Sequence, residues 1–299
     1  MATPKQWIEG ARPRTLPAAF APVLAGTGAA VYADAPVWWK AALALVVALA
    51  LQVAVNYAND YSDGVRGTDD GRVGPARLVG SGVASPRQVK MAAFAAFGVA
   101  GAAGLVLAVT TSWWLVPMGA VCIVAAWYYT GGSKPYGYSG LGEASVFVFF
   151  GLVAVLGTCY VQVERVPAGS VLVASGVGCL AVALLVANNL RDIPTDLTAG
   201  KRTLAVQLGD RMSRDLYTWL HSAAYAFVFV AAWAQTWWLL LAAVSLPLSV
   251  RARAVVRRGA TGSALIPVLR DTGLTELILA VGICAGYVIS SLPGGLAGL

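Results

Sequence analysis

Charge is what this sequence has least of. Its 299 residues include 14 Asp and Glu and 21 Lys and Arg, so 12% of the chain is charged, against about a quarter in soluble domains. That deficit excludes an ordinary water-soluble globule. Histidine occurs once, as His221 at the start of an apolar run, where a core or interfacial role is expected and not a ligand. The four cysteines, Cys122, Cys159, Cys179 and Cys284, lie inside apolar runs with no CxxC or Cys/His spacing, which excludes a zinc site and a disulfide framework. No glycine-rich phosphate loop is present either: Gly137-x-x-Gly140-x-Gly142 has no strand before it. No small-residue cleavage site follows a short apolar stretch near the N-terminus, so no cleaved signal peptide is expected. The net charge of +7 reads as membrane topology, not nucleic-acid binding.

What the chain has is apolar length. Hydrophobic residues make up 58%, with a mean hydropathy of +0.71. Segments approaching ~20 apolar residues, enough to cross a ~30 Å hydrocarbon core as helices, recur at 17–33, 37–57, 89–110, 113–130, 144–162, 168–189, 217–235, 237–250 and 274–292. The expected fold is therefore all-α: about nine transmembrane helices forming one integral-membrane domain over 1–299. Nineteen of the 21 Lys and Arg fall in the N-terminus and the even-numbered loops, leaving Lys40 and Arg165 for the other side. The positive-inside rule then places the N-terminus and those loops in the cytoplasm of a plasma (inner) membrane protein. Trp38-Trp39, Trp113-Trp114 and Trp237-Trp238 fall in the opposite connections, as an outer aromatic belt would. No obligate protein partner is readable.

The scarce acids are clustered. Asn56, Asn59, Asp60 and Asp63, followed by Asp69 and Asp70, close the second apolar segment; Asn188, Asp192 and Asp196 close the sixth. Residues three or four apart share a helix face, so each cluster presents a stripe of oxygen donors at the cytoplasmic membrane boundary, where carboxylates are costly and usually functional. Hard oxygen donors suit Mg²⁺, an ion commonly shared with substrate phosphates, and two such stripes could hold two ions on one diphosphate. A lone Asp in this setting would read as a helix cap; two matched clusters do not. Basic residues follow each: Arg72 and Arg77 after the first, Lys201 and Arg202 after the second, with Lys134 in Ser133-Lys-Pro-Tyr-Gly-Tyr138 between them. Arg72, Lys134 and Lys201 are candidate diphosphate binders, against the alternative that they are loop charges obeying the topology rule. Tyr136, Tyr138 and Glu143, just before the fifth segment, could line an aromatic or cation pocket. The Asn-x-x-x-Asp motif at 56–60 and 188–192, four segments apart, hints at an internal duplication.

At these residues the chain resembles the UbiA superfamily of intramembrane aromatic prenyltransferases, whose Asp-rich motifs NDxxDxxxD and DxxxD follow the second and sixth helices. Asn59-Asp60-Tyr-Ser-Asp63 and Asp192-x-x-x-Asp196 match them. The last Asp of the first motif would fall on Gly67, and carboxylates appear instead at Asp69 and Asp70. That spacing is similar to the branch that prenylates 1,4-dihydroxy-2-naphthoate in menaquinone synthesis, as are Ala11-Arg-Pro-Arg-Thr-Leu-Pro-Ala18, Arg72-Val-Gly-Pro-Ala-Arg77, Pro135-Tyr-Gly-Tyr-Ser-Gly-Leu-Gly142 and Gly200-Lys-Arg-Thr203. The resemblance covers about residues 11–209. It implies a helical bundle with a central cavity capped by cytoplasmic loops, and two Mg²⁺ holding a polyprenyl diphosphate. Catalysis would rest on Asp60, Asp63, Asp192 and Asp196. Asn59 and Asp69 would join these at the metals, and Asn56 and Asn188 would join the diphosphate binders. Acceptor-binding candidates are Arg77, Tyr136, Tyr138 and Glu143, with Arg12 and Arg14 as further cations for the acceptor carboxylate. Three rivals remain. The acceptor could be 4-hydroxybenzoate, homogentisate, haem or a sugar phosphate. A CDP-alcohol phosphotransferase would need Ala-Arg where Gly67-Thr68 stand. A cation-coupled transporter would place its carboxylates at the midplane.

Overall fold

The computed structural model describes residues 2–67 and 77–292. Asp69, Asp70 and Arg72 lie outside the described residues. All regular structure among the described residues is helical. A short amphipathic helix, α1 (Pro4–Gly10), opens with a Thr3/Gln6 capping box. Nine longer rods follow: α2 (Pro17–Tyr32), α3 (Trp38–Arg66), α4 (Pro86–Thr110), α5 (Leu115–Tyr128), α6 (Gly142–Val163), α7 (Ala168–Thr198), α8 (Leu204–Ala234), α9 (Trp237–Arg257) and α10 (Gly262–Ser290). Each contains most of one apolar segment read from the sequence.

Length and composition support fewer crossings than the nine expected, among the described residues. Six rods, α3, α4, α6, α7, α9 and α10, are long and apolar enough to cross a membrane, and the pair Pro4–Thr15 and Pro17–Tyr32, bent by 50°, makes a seventh if it counts as one span. With 14 residues, α5 rises only about 21 Å at 1.5 Å per residue. Rod α8 is long enough, but Asp210, Arg211, Arg214 and Asp215 occupy its first half, and Gly209 (φ 75°) breaks its opening turn.

Rod α7 is the axis of the bundle, lined with small and branched residues from Ser170 to Ala187 that are almost all buried. It packs along α8 and against α6 and α10, while α3 pairs with α4, and α10 with α2 and the start of α9. The close approach of α6 and α7 requires glycine at both sides, since a Cβ on Gly178 would lie 3.1 Å from the Gly151 Cα. At that crossing α6 widens into a π-helical stretch, Phe147–Val153; both neighbours Phe149 and Phe150 line the central cavity.

The polarity of the bundle follows. Asp60, Asp63, Asp192 and Asp196 stand at the last turns of α3 and α7. Trp38, Trp113 and Trp237 stand, exposed, at the opposite ends of α3, the α4–α5 connection and α9. Rod α3 stops at Gly67 (φ 68°), a left-handed cap that glycine adopts without penalty. This accounts for glycine where the family motif has its third Asp. His221 is fully buried and its Nδ1 lies 2.8 Å from Ser249 Oγ, a core position.

Candidate active site

A cavity of about 1160 Å³ runs up the bundle among α2, α3, α4, α5, α6 and α7. Its deep half is apolar, from Phe149 and Phe150 to Ala44, Leu107 and Val161, and its mouth is lined by Asn59, Asp63, Asn188, Asp192, Asp196 and Lys201. Two clusters 132 residues apart in sequence therefore converge on one opening.

Asp63, 3% exposed, is the hub. Lys201 Nζ lies 3.1 Å from its Oδ1 and Arg77 Nη2 3.2 Å from its Oδ2, and the Tyr138 hydroxyl donates to Oδ1. Lys201 also stands 3.9 Å from Asp196 Oδ1, so one ammonium spans both clusters. The Tyr138 ring lies between two cations, 4.6 Å from Lys201 Nζ and 5.4 Å from the Arg66 guanidinium. Arg66 donates to the Thr130 and Gly132 carbonyls, and the Arg202 amide to the Tyr138 carbonyl. Burial first, and then the Asp63 carboxylate, push the Tyr138 phenol up, which keeps it a proton-bearing donor. The end of α3 and the loops at 129–141 and 199–203 are thus tied around one carboxylate.

Asp60, expected among the catalytic metal ligands, faces a backbone segment. It is 1% exposed, and its two oxygens accept the backbone amides of Leu78 (2.8 Å) and Val79 (3.0 Å). Asn59 Oδ1 accepts from Thr130 Oγ1 at 2.7 Å. Asn56 Nδ2 donates to the Ala11 carbonyl and Thr15 Oγ1, which ties α3 to the N-terminal segment. Gln52 Nε2 joins it at Thr15 (2.9 Å); its Oε1 is buried without a partner.

On α7, Asp192 is held by its own neighbour: Arg191 Nε and Nη2 approach its oxygens at 2.6 and 2.7 Å. The same Nη2 donates to Asn188 Oδ1 at 2.8 Å. Asn189 Nδ2 donates to Glu143 Oε1 at 3.0 Å. Glu143 lies behind Asn189 and off the cavity lining. Tyr136 lines the cavity with its hydroxyl donating to the Ala125 carbonyl and 3.0 Å from Ser145 Oγ. Lys134 is exposed and off the lining, because its loop turns Tyr138 inward and Lys134 outward. Arg77, expected near the acceptor, sits on Asp63 with the diphosphate candidates. The basic residue that the sequence reading passed over is Arg191; its adjacency to Asp192 was the available signal.

Among the described residues no three acidic, His or Cys side chains sit close enough to form a ready-made metal cage. The mouth offers hard oxygens from Asn59, Asp63, Asp192 and Asp196, interleaved with cations. That donor set fits an ion such as Mg²⁺, which takes one or two carboxylates and completes its shell with water and phosphate.

A bundle of apolar rods around one cavity, deep apolar and acidic at its mouth, defines a multi-pass membrane protein built to hold a long apolar molecule by a polar head. The family model for the UbiA prenyltransferase family matches residues 19–265, and the chain belongs to that family. It is 56% identical to the 1,4-dihydroxy-2-naphthoate octaprenyltransferase of Mycobacterium tuberculosis, over 98% of this chain and 100% of that one. The fold resembles a UbiA homolog from Aeropyrum pernix (TM-score 0.69, 17% identity, 92% of this chain and 98% of that one). It also resembles an Archaeoglobus fulgidus UbiA homolog bound to GPP and Mg²⁺ (TM-score 0.67, 15% identity, 94% and 99%).

Proposed function

We propose that this protein transfers a polyprenyl group from its diphosphate to 1,4-dihydroxy-2-naphthoate, with loss of the acceptor carboxylate, as a step of menaquinone synthesis. The observation that carries the reading is the convergence of both Asp clusters, bridged by Lys201, on the mouth of an otherwise apolar cavity. The near-full-length relative with that activity supports the choice of acceptor. The rods act as a single membrane domain with the Asp mouth on the cytoplasmic side of the plasma membrane, consistent with the distribution of Lys and Arg.

Asn59, Asp63, Asp192 and Asp196 would hold Mg²⁺, and two ions suit two clusters. When bound, the metal supplies Lewis-acid stabilisation of the departing diphosphate. Lys201 and Arg77 stand on the two Asp63 oxygens, where they would also meet the diphosphate, and Arg191 and Tyr138 offer further donors beside them. The allylic C–O bond breaks with its electron pair leaving on diphosphate. The ring carbon bearing the carboxylate attacks the allylic carbon, and CO₂ departs, its bonding pair restoring the aromatic ring. Phe149, Phe150 and the apolar walls exclude water from the developing cation. The aromatic faces favour positive charge. Lys134 and Glu143 take no direct part in this assignment.

The test is turnover of detergent-purified protein with 1,4-dihydroxy-2-naphthoate and a polyprenyl diphosphate, with and without Mg²⁺, read by mass spectrometry. A prenylated, decarboxylated naphthoquinol formed only with metal is expected. Product with 4-hydroxybenzoate or homogentisate alone would overturn the acceptor and keep the site. No product with any acceptor would overturn the reading.

A further inference from the structure

We infer that Asp60 is a positioning residue that acts on the diphosphate through Arg77, and not a metal ligand. The inference rests on the reading above, in which Asp63 and Arg77 face the diphosphate and its metal. Asp60 and Asp63 lie one turn apart on α3, yet their carboxylates are used in opposite ways. Asp63 gathers side chains from three other segments. Asp60 touches the cavity wall, but its carboxylate is spent on backbone: Oδ2 on the Leu78 amide and Oδ1 on the Val79 amide. Two N–H dipoles point their positive ends at those oxygens. A cation there would have to share both oxygens with those amides and meet the positive ends of their dipoles.

Packing fixes the same segment. Leu78 is 2% exposed and fills a notch at Gly10, where a Cβ would lie 2.7 Å from Leu78 Cδ1. Val79 rests on Gly64, where a Cβ would lie 2.4 Å from Val79 Cγ1. Gly64 is four residues after Asp60 and so on the same face of α3. One helix face thus offers the segment two amide acceptors and a bare patch. The residue immediately before this docked pair is Arg77, whose Nη2 sits 3.2 Å from Asp63 Oδ2. Asp60 therefore sets where the Arg77 guanidinium stands without touching the reacting atoms.

The experiment compares full-length Asp60→Asn, Asp60→Ala, Gly64→Ala, Arg77→Ala and Asp63→Asn. It measures KM for each substrate, the Mg²⁺ activation constant, and Mn²⁺ binding by electron paramagnetic resonance with inorganic diphosphate present. Asp60→Ala should raise KM for the prenyl diphosphate about tenfold, the scale of one misplaced charge-assisted hydrogen bond. The acceptor KM and Mn²⁺ binding should stay as in the wild type. Asp60→Asn, which keeps one acceptor oxygen, should fall between. Gly64→Ala, which leaves every carboxylate in place but displaces Val79, should show the same signature. Asp60→Ala added to Arg77→Ala should change the diphosphate KM no further. Loss of Mn²⁺ binding in Asp60→Asn comparable to that in Asp63→Asn would overturn the inference, as would additive effects of Asp60→Ala and Arg77→Ala. Absence of Mn²⁺ binding by the wild type would overturn the metal reading instead, and the double-variant KM would then decide the coupling on its own.

Discussion

The two acidic clusters share residue types and spacing, and the protein wires them in contrasting ways. On α3, Asp63 and Asp60 reach partners far along the chain: Arg77, the Leu78 and Val79 amides, Tyr138 and Lys201. On α7, Asp192 closes on Arg191 and Arg191 on Asn188, all within one helical turn. Asp196 is approached from another segment, by Lys201. In these contacts the first cluster is assembled from distant segments, whereas Arg191 and Asn188 preset Asp192 from within its own helix.

The largest effects should separate the halves. Asp63→Asn and Asp192→Asn are each expected to lower kcat/KM at least about a hundredfold, the scale of removing a main electrostatic partner of a developing charge. Their stabilities should differ. Asp63→Asn takes a shared negative charge from two buried cations, Arg77 and Lys201, a loss of about 2 kcal/mol or more. After Asp192→Asn, Arg191 still has Asn188 as an acceptor, and the loss should be about half as large. Thermal unfolding in detergent measures both, and equal shifts would break the distinction between assembled and preset clusters.

Lys201 reaches a carboxylate of each half, so its removal tests the bridge. Lys201→Ala should raise the KM for prenyl diphosphate by roughly tenfold, from one lost charge-assisted contact, and leave the acceptor KM near the wild-type value. A change confined to the acceptor KM would place Lys201 on the wrong side of the cavity.

Much of this arrangement was legible in the residues. Apolar length located all nine rods, and the Asn/Asp spacing picked out both clusters that line one mouth. The crossing count was not legible, because the α5 rod is short and α8 spends half its length on charges, which a hydropathy window blurs. The role of Asp60 was hidden for a geometric reason. Asp60 and Asp63 are neighbours on a helix surface, and spacing cannot say which of them meets a backbone segment arriving from residue 77. Lys134 and Tyr138 share a motif, yet the turn through Pro135 and Gly137 sends one out and the other in. The π-helical stretch that brings Phe149 and Phe150 to the cavity together depends on the Gly151–Gly178 contact, and no local period announces it.

The smallest expected effect probes how local the wiring of α7 is. Asn189 is the residue of this stretch that reaches outward to a distant carboxylate, Glu143, 46 residues away in sequence. Glu143 is 7% exposed, and its second oxygen has no hydrogen-bond partner. Glu143→Gln keeps an acceptor for Asn189 and removes a buried carboxylate, so kcat and both KM values should stay within about twofold. Glu143→Leu removes the acceptor and frees the Asn189 side chain on the cavity wall. One such hydrogen bond is worth about 1 kcal/mol, so the acceptor KM should rise about fivefold while the diphosphate KM holds. Steady-state kinetics with each substrate varied in turn decides it. A rise in the diphosphate KM would mean that Glu143 supports Asp192 through the α7 backbone, and the second cluster would then be assembled in the same sense as the first.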